Sequence, residues 1–175
     1  MQHRPGYYFA YGSNLHPERL GRRTPSQRLL GPAELPAHDL RFHKRSGVDD
    51  SAKADAYFTG DPAHRVLGAV YALTPDDFPA LDRVESLGAG YDLKVETLTV
   101  AGAALEVFLY VAQEAYIDPV SEPFDWYRDL VLHGALYHGF PEPYVRRIRA
   151  IAGTADPDAD RAARHDEILR AMATA

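Results

Sequence analysis

A chain of 175 residues with 46% hydrophobic content is the size of one domain and can build a core without metals or disulfides. It has no cysteine, which removes disulfide frameworks, Cys-ligated metals and thiol nucleophiles. Its net charge of −6 is the wrong sign for a general nucleic-acid binder, and no apolar run suits a secretory signal or a bilayer span, so a soluble cytoplasmic protein is the expectation.

In chain order, the first element is a short aromatic strand, Tyr7–Ala10, which runs into the turn-forming stretch Tyr11-Gly12-Ser13-Asn14. Weaker strand patterns follow at 28–35 and 39–43, then a polar loop at 48–53. Strands at 54–59 and 66–73 flank a Gly60-Asp61-Pro62 turn, and a helix is predicted over 74–86. Tyr91–Val100 and 105–111 enclose Ala101-Gly102-Ala103-Ala104, a hairpin signal. The last third reads as three helices, 124–137, 142–152 and 158–172, with Pro123, Pro141 and Pro157 near their starts. About six short strands followed by helices indicate a single α+β domain over residues 1–175, with a mixed or antiparallel sheet that could close into a small barrel.

The predicted helix over 74–86 carries one carboxylate on an unexpected face. Thr74 is a suitable N-cap, Pro75 suits the first turn, and Asp76 and Asp77 complement the positive helix end. At ~100° per residue, Phe78 and Leu81 define an apolar stripe. Glu85 falls between them, Asp82 lies at the edge and Arg83 points away. Glu85 therefore faces the core at the helix C-terminus, where burial and the macrodipole both favour its protonated form, as proton-transfer chemistry requires. The alternative is a structural Glu that reaches water or caps a neighbouring strand. The Gly88-Ala89-Gly90 stretch permits close backbone approach beside it.

Successive N–H groups in the Tyr11-Gly12-Ser13-Asn14 turn can form a nest for a carboxylate or a developing oxyanion. The plainer reading is an ordinary strand-to-helix turn leading to His16-Pro17-Glu18, with Asn14 as a local cap. Ser13 has no Gly-x-Ser-x-Gly context and is not expected to be a nucleophile. His133 and His138 fall on different helix faces, so they form no metal pair. Asp156, Asp158, Asp160 and Glu167 match calcium-loop spacing, but Arg161 stands where glycine is required and Pro157 interrupts the loop. No metal site and no cofactor are expected, and no phosphate-binding or dinucleotide glycine motif is present.

Taken together, these features resemble the γ-glutamylcyclotransferase family, which includes the AIG2-like proteins. The resemblance covers nearly the whole chain. It runs from Tyr8-Phe9-Ala10-Tyr11-Gly12-Ser13-Asn14 through Val66-Leu67-Gly68-Ala69-Val70-Tyr71 to Leu81-Asp82-Arg83-Val84-Glu85 and Gly90-Tyr91. It continues with Tyr127-Arg128-Asp129-Leu130, Gly134-Ala135, Gly139-Phe140-Pro141 and Tyr144. One departure is Ser86, where many relatives carry Gly after the Glu. The resemblance implies a small mixed β-barrel of about six strands with surrounding helices. It also implies release of 5-oxoproline from a γ-glutamyl compound without cofactor or water. By the same resemblance Glu85 would be the acid/base, the backbone of Tyr8, Phe9, Ala10, Tyr11, Gly12, Ser13 and Asn14 would hold the γ-glutamyl group, and Tyr127 would lie at the pocket.

The physical logic agrees. The substrate's own α-amine attacks its γ-carbonyl, so no protein nucleophile is needed, and one carboxylate of raised pKa can move both protons in turn. The expected partner is a small γ-glutamyl compound, with no nucleic acid and no membrane; a homodimer is left open. The leaving group is also open: an amino acid, an amine, a lysine isopeptide, glutathione or a biosynthetic intermediate. Lys44, Arg45 and Lys53 could meet a substrate carboxylate, although their sequence context favours a solvated loop. The rival of another class is a non-catalytic module binding a small metabolite in the same pocket, which would gain nothing from a buried Glu85.

Overall fold

The aromatic strand near the N-terminus lies in the middle of the main sheet, where its apolar sequence is covered on both sides. In this computed structural model, which describes residues 4–175, β1 (Tyr7–Ala10) has a strand on each side. It pairs antiparallel with β5 (Arg65–Ala72) and parallel with β7 (Ala103–Ala112). β2 (Arg28–Pro36) joins the far side of β5, and β6 (Tyr91–Val100) forms a hairpin with β7, giving the order β2-β5-β1-β7-β6. The sheet curls into a half-barrel, bringing β2 toward β6; a Cβ at Gly31 would lie 3.8 Å from Val100. β3 (His38–Arg45) and β4 (Ala52–Phe58) form a separate two-stranded sheet, with β3 against β5 and β4 against β7. The expected α+β architecture and mixed sheet are present, with seven strands in two sheets among the described residues.

Among the described residues five α-helices surround these sheets: α1 (Pro17–Gly21), α2 (Phe78–Glu85), α3 (Asp125–Tyr137), α4 (Glu142–Arg149) and α5 (Ala159–Ala173). α3 presents Trp126, Tyr127, Leu130, Val131, Gly134 and Ala135 to the core, the spacing of one helix face. Gly134 allows close packing there, since a Cβ would stand 2.7 Å from Leu15 Cβ. Phe9, Val70, Tyr71, Val107, Phe108 and Leu109 are fully or almost fully buried in the sheet, and burial of such side chains stabilises by about 1.5–3 kcal/mol each.

Several local expectations are corrected. β4 begins at Ala52, inside the segment expected to be loop, because Ala52 and Lys53 pair with Arg45 and Lys44 of β3; Ala52 N–H also donates to the carbonyl of Glu122. Thr74 makes no capping bond with its side chain. The predicted helix instead opens as a single 3-10 turn, Pro75–Asp77, and the Asp77 carboxylate accepts from Ser26 N–H and Oγ–H. α4 ends at Arg149, short of the expected 152. α1 is capped by His16, whose Nδ1 accepts from Glu18 N–H at 3.1 Å, and not by Asn14. The Asn14 side chain is engaged elsewhere, in the cavity described next.

Candidate active site

The chain leaves the central strand β1 at Ala10 and turns through Tyr11, Gly12, Ser13 and Asn14, closed by a hydrogen bond from Leu15 N–H to Gly12 O at 3.1 Å. Gly12 is required for close approach: a Cβ there would stand 3.3 Å from Ala54 Cβ and 3.6 Å from the Tyr127 hydroxyl. The N–H groups of Gly12, Ser13 and Asn14 donate to no protein acceptor among the described residues. They remain available, as a nest requires.

Across from the turn, α2 ends at Glu85. Leu81 is fully buried, Phe78 packs on Phe108 with ring centroids 5.5 Å apart, and Glu85 shares their face. Asp82 at the stripe's edge pairs with Arg4 at 2.8 Å and accepts from the Tyr110 hydroxyl at 2.6 Å, while Arg83 is exposed. Helix α2 stops because Ser86 takes a left-handed conformation, φ 53° and ψ 48°. That is the position at which glycine would carry no steric penalty.

Asn14 connects the turn to the helix. Its Nδ2 donates to Glu85 Oε1 at 2.7 Å and to Tyr8 Oη at 3.2 Å, and its Oδ1 accepts from Arg23 at 2.6 Å. Arg23 also stands 3.7 Å from Glu85 Oε1, and the Glu85 side chain is 17% exposed. Burial pushes the Glu85 pKa above the ordinary carboxylate value, against the opposing pull of Arg23, the Asn14 hydrogen bond, Lys44 and Arg19.

Tyr8, Tyr11, Tyr91, Tyr110 and Tyr127 complete the cavity with Gly12, Ser13, Asn14, Ala54 and Glu85. Three of the five hydroxyls are committed as donors: Tyr11 to Tyr110 O, Tyr91 to Ala54 O, and Tyr110 to Asp82. The other two accept, Tyr8 from Asn14 and Tyr127 from Ala54 N–H at 3.0 Å; the Ser13 hydroxyl also interacts with Tyr127, while the Tyr8 O–H proton is left free to donate. Burial raises both pKa values far above the ordinary phenol value, so both remain protonated donors. The enclosed space is about 20 Å³, enough for roughly one water molecule. A larger ligand must displace side chains at the mouth.

A family model described as "Gamma-glutamyl cyclotransferase, AIG2-like" matches residues 8–128, well over half of the chain. The chain belongs to this family. Gamma-glutamylcyclotransferases of Bos taurus and Homo sapiens are 27% and 28% identical to it over 146 and 148 residues, covering 82% of this chain and 77% of each relative. A solved structure titled "Gamma-glutamyl cyclotransferase" superposes with a TM-score of 0.80 at 24% identity, over 94% of this chain and 98% of the other, and supports the fold. The protein is an enzyme of the γ-glutamylcyclotransferase type.

Within this family member, the structure brings seven of the expected site residues to one cavity: Tyr8, Tyr11, Gly12, Ser13, Asn14, Glu85 and Tyr127. Phe9 and Ala10 are not among them. Both are fully buried in the core and paired with Val70 and Ala69 of β5, so their backbone groups serve the sheet. Four further residues had not been singled out as site residues: Tyr91, Tyr110, Ala54 and Arg23. The strand alternation of Phe108 and Tyr110 was a usable signal for Tyr110. Arg23 had none, since in sequence it is one half of an Arg22-Arg23 pair. Lys44 is not in a solvated loop either; it lies buried in β3. Among the described residues, no three His, Asp or Glu side chains group so as to hold a metal ion.

Proposed function

We propose that this enzyme converts a γ-glutamyl amino acid or amine to 5-oxoproline and the free amine, with Glu85 as the acid/base. The α-amine of the substrate gives a proton to Glu85 and attacks its own γ-carbonyl carbon, forming the ring C–N bond. The resulting oxyanion would face the O–H groups of Tyr8 and Tyr127 and the N–H groups of the turn. Glu85 then returns the proton to the departing nitrogen as the original amide C–N bond breaks. Atoms and charge balance without water, nucleophile or cofactor.

The observation that carries this reading is the single Asn14–Glu85 hydrogen bond of 2.7 Å. It holds an otherwise under-bonded, buried carboxyl against the free donors of the turn. Cations on Arg19, Arg23 and Lys44 act on the same carboxylate, an excess of positive charge suited to a substrate that brings its own carboxylate. Incubating the protein with a panel of γ-glutamyl compounds and detecting 5-oxoproline tests it. Turnover of at least one compound, undiminished by a chelator, is expected. Binding of γ-glutamyl compounds without 5-oxoproline would favour the non-catalytic binding module.

A further inference from the structure

We propose, resting on the γ-glutamyl reading above, that Lys44 sets the leaving-group preference: its ammonium holds a carboxylate on the carbon next to the scissile nitrogen. The preferred substrates are then γ-glutamyl α-amino acids with a free carboxylate.

Strand β3 alternates between inward and outward side chains until the register slips against β4 between Phe42 and Lys44. The bulge turns two consecutive residues, His43 and Lys44, into the interior. Lys44 is 3% exposed. Among the described residues its ammonium has no hydrogen-bond acceptor and no carboxylate within ion-pair distance; it lies 4.7 Å from the ring centre of Tyr91 and 5.8 Å from that of Tyr116. The other lysines differ. Lys53 donates to Asp49 and Ser51, and Lys94 reaches Glu96 and His38. Ring faces offset only part of the desolvation of a buried ammonium, and the carboxylates that act on it among the described residues, Glu85 and Asp49, do so from beyond ion-pair distance, so an anionic ligand would be its first direct ionic partner.

The position of Lys44 says where that anion is carried. Tyr91 lines the cavity holding Glu85, whereas Tyr116 lines a neighbouring cleft of about 440 Å³ with Arg45, Ser46 and Asp118. The ammonium thus lies near one ring that lines the enclosed cavity and one that lines this roomier outer cleft. Gly90 makes way for it, since a Cβ there would stand 2.7 Å from Lys44 Nζ. The charged groups of the outer cleft are already engaged: Arg45 with Asp50, and Asp118 with Ser121 and Val120 N–H. With the glutamyl half in the inner cavity and the leaving half directed toward the outer cleft, an α-carboxylate one carbon from the scissile nitrogen would meet Lys44. A simple alkylamine has no such group, and a peptide or isopeptide linkage masks it or moves it away.

γ-Glutamyl-alanine and γ-glutamyl-ethylamide differ only by that carboxylate. The test measures kcat/KM for both with the wild type, Lys44→Met and Lys44→Arg, following 5-oxoproline. The wild type is expected to prefer the alanine compound by roughly 10- to 100-fold, the range of a hydrogen bond to a charged group. Lys44→Met should bring the ratio close to unity, and Lys44→Arg should retain a preference. A wild type without preference overturns the assignment, and does so even if the variants fail to fold. An unchanged ratio in Lys44→Met, with both substrates slowed equally, also overturns it and places Lys44 on the shared glutamyl half or on Glu85. No 5-oxoproline from either compound or from the wider panel brings down the cyclotransferase reading itself.

Discussion

The junction between the two sheets and the mouth of the cavity each bury a carboxylate, and they satisfy it differently. At the junction, Asp55 of β4 is 2% exposed and both its oxygens are bonded, one to His43 Nε2 at 2.9 Å and the other to Ala112 N–H at 2.8 Å. At the mouth, Glu85 accepts one hydrogen bond on Oε1, has Arg23 at 3.7 Å, and accepts none on Oε2 among the described residues. A fully bonded carboxylate ties chain segments together, here β3, β4 and β7. A buried, partly bonded one is biased toward its protonated form and can exchange a proton with a ligand.

The sharpest way to break this comparison is Glu85→Gln. Turnover should fall by about 10²–10⁴, the usual contribution of general acid–base catalysis, while the fold remains. Burial raises the Glu85 pKa above 4.5, so the folded state binds that proton more tightly than the unfolded state. The associated stabilisation is full below the unfolded value and is lost as pH rises through the folded value. Above it the wild type carries a buried charge that the amide does not. Thermal melts at about pH 5 and about pH 8 should therefore show the variant gaining on the wild type as pH rises. A deficit that grows toward the higher pH would make Glu85 a charged structural partner of Arg23.

Asp55→Ala should reverse the pattern. Leaving Ala112 N–H and His43 without their acceptor should destabilise by about 3 kcal/mol, seen as a lower denaturation midpoint, with far less loss of turnover than Glu85→Gln. Loss of turnover at unchanged stability would erase the distinction between the two carboxylates. The smallest effect sharpens the mouth alone. Ser86 holds φ 53°, so Ser86→Gly should relieve strain and stabilise by about 1 kcal/mol, a rise of roughly 2–4 °C in Tm for a chain of this size.

The sequence by itself determined whatever local periodicity and turn chemistry decide. Tyr7–Ala10, the β6–β7 hairpin, the helical last third and the inward face of Phe78, Leu81 and Glu85 follow from alternation, 3.6-residue spacing and glycine placement. The turn at Tyr11-Gly12-Ser13-Asn14 was legible for the same reason. Only the tertiary structure decided what covers each face. It placed Tyr91, Tyr110 and Arg23 around Glu85 and directed Asn14 into the cavity, leaving the helix cap to His16. It also kept Phe9 and Ala10 in the core. Lys44 is the clearest case: its neighbours in sequence are those of a solvated basic loop. A one-residue bulge in β3 leaves His43 and Lys44 buried side by side, and that slip depends on pairing with β4, which no local pattern encodes.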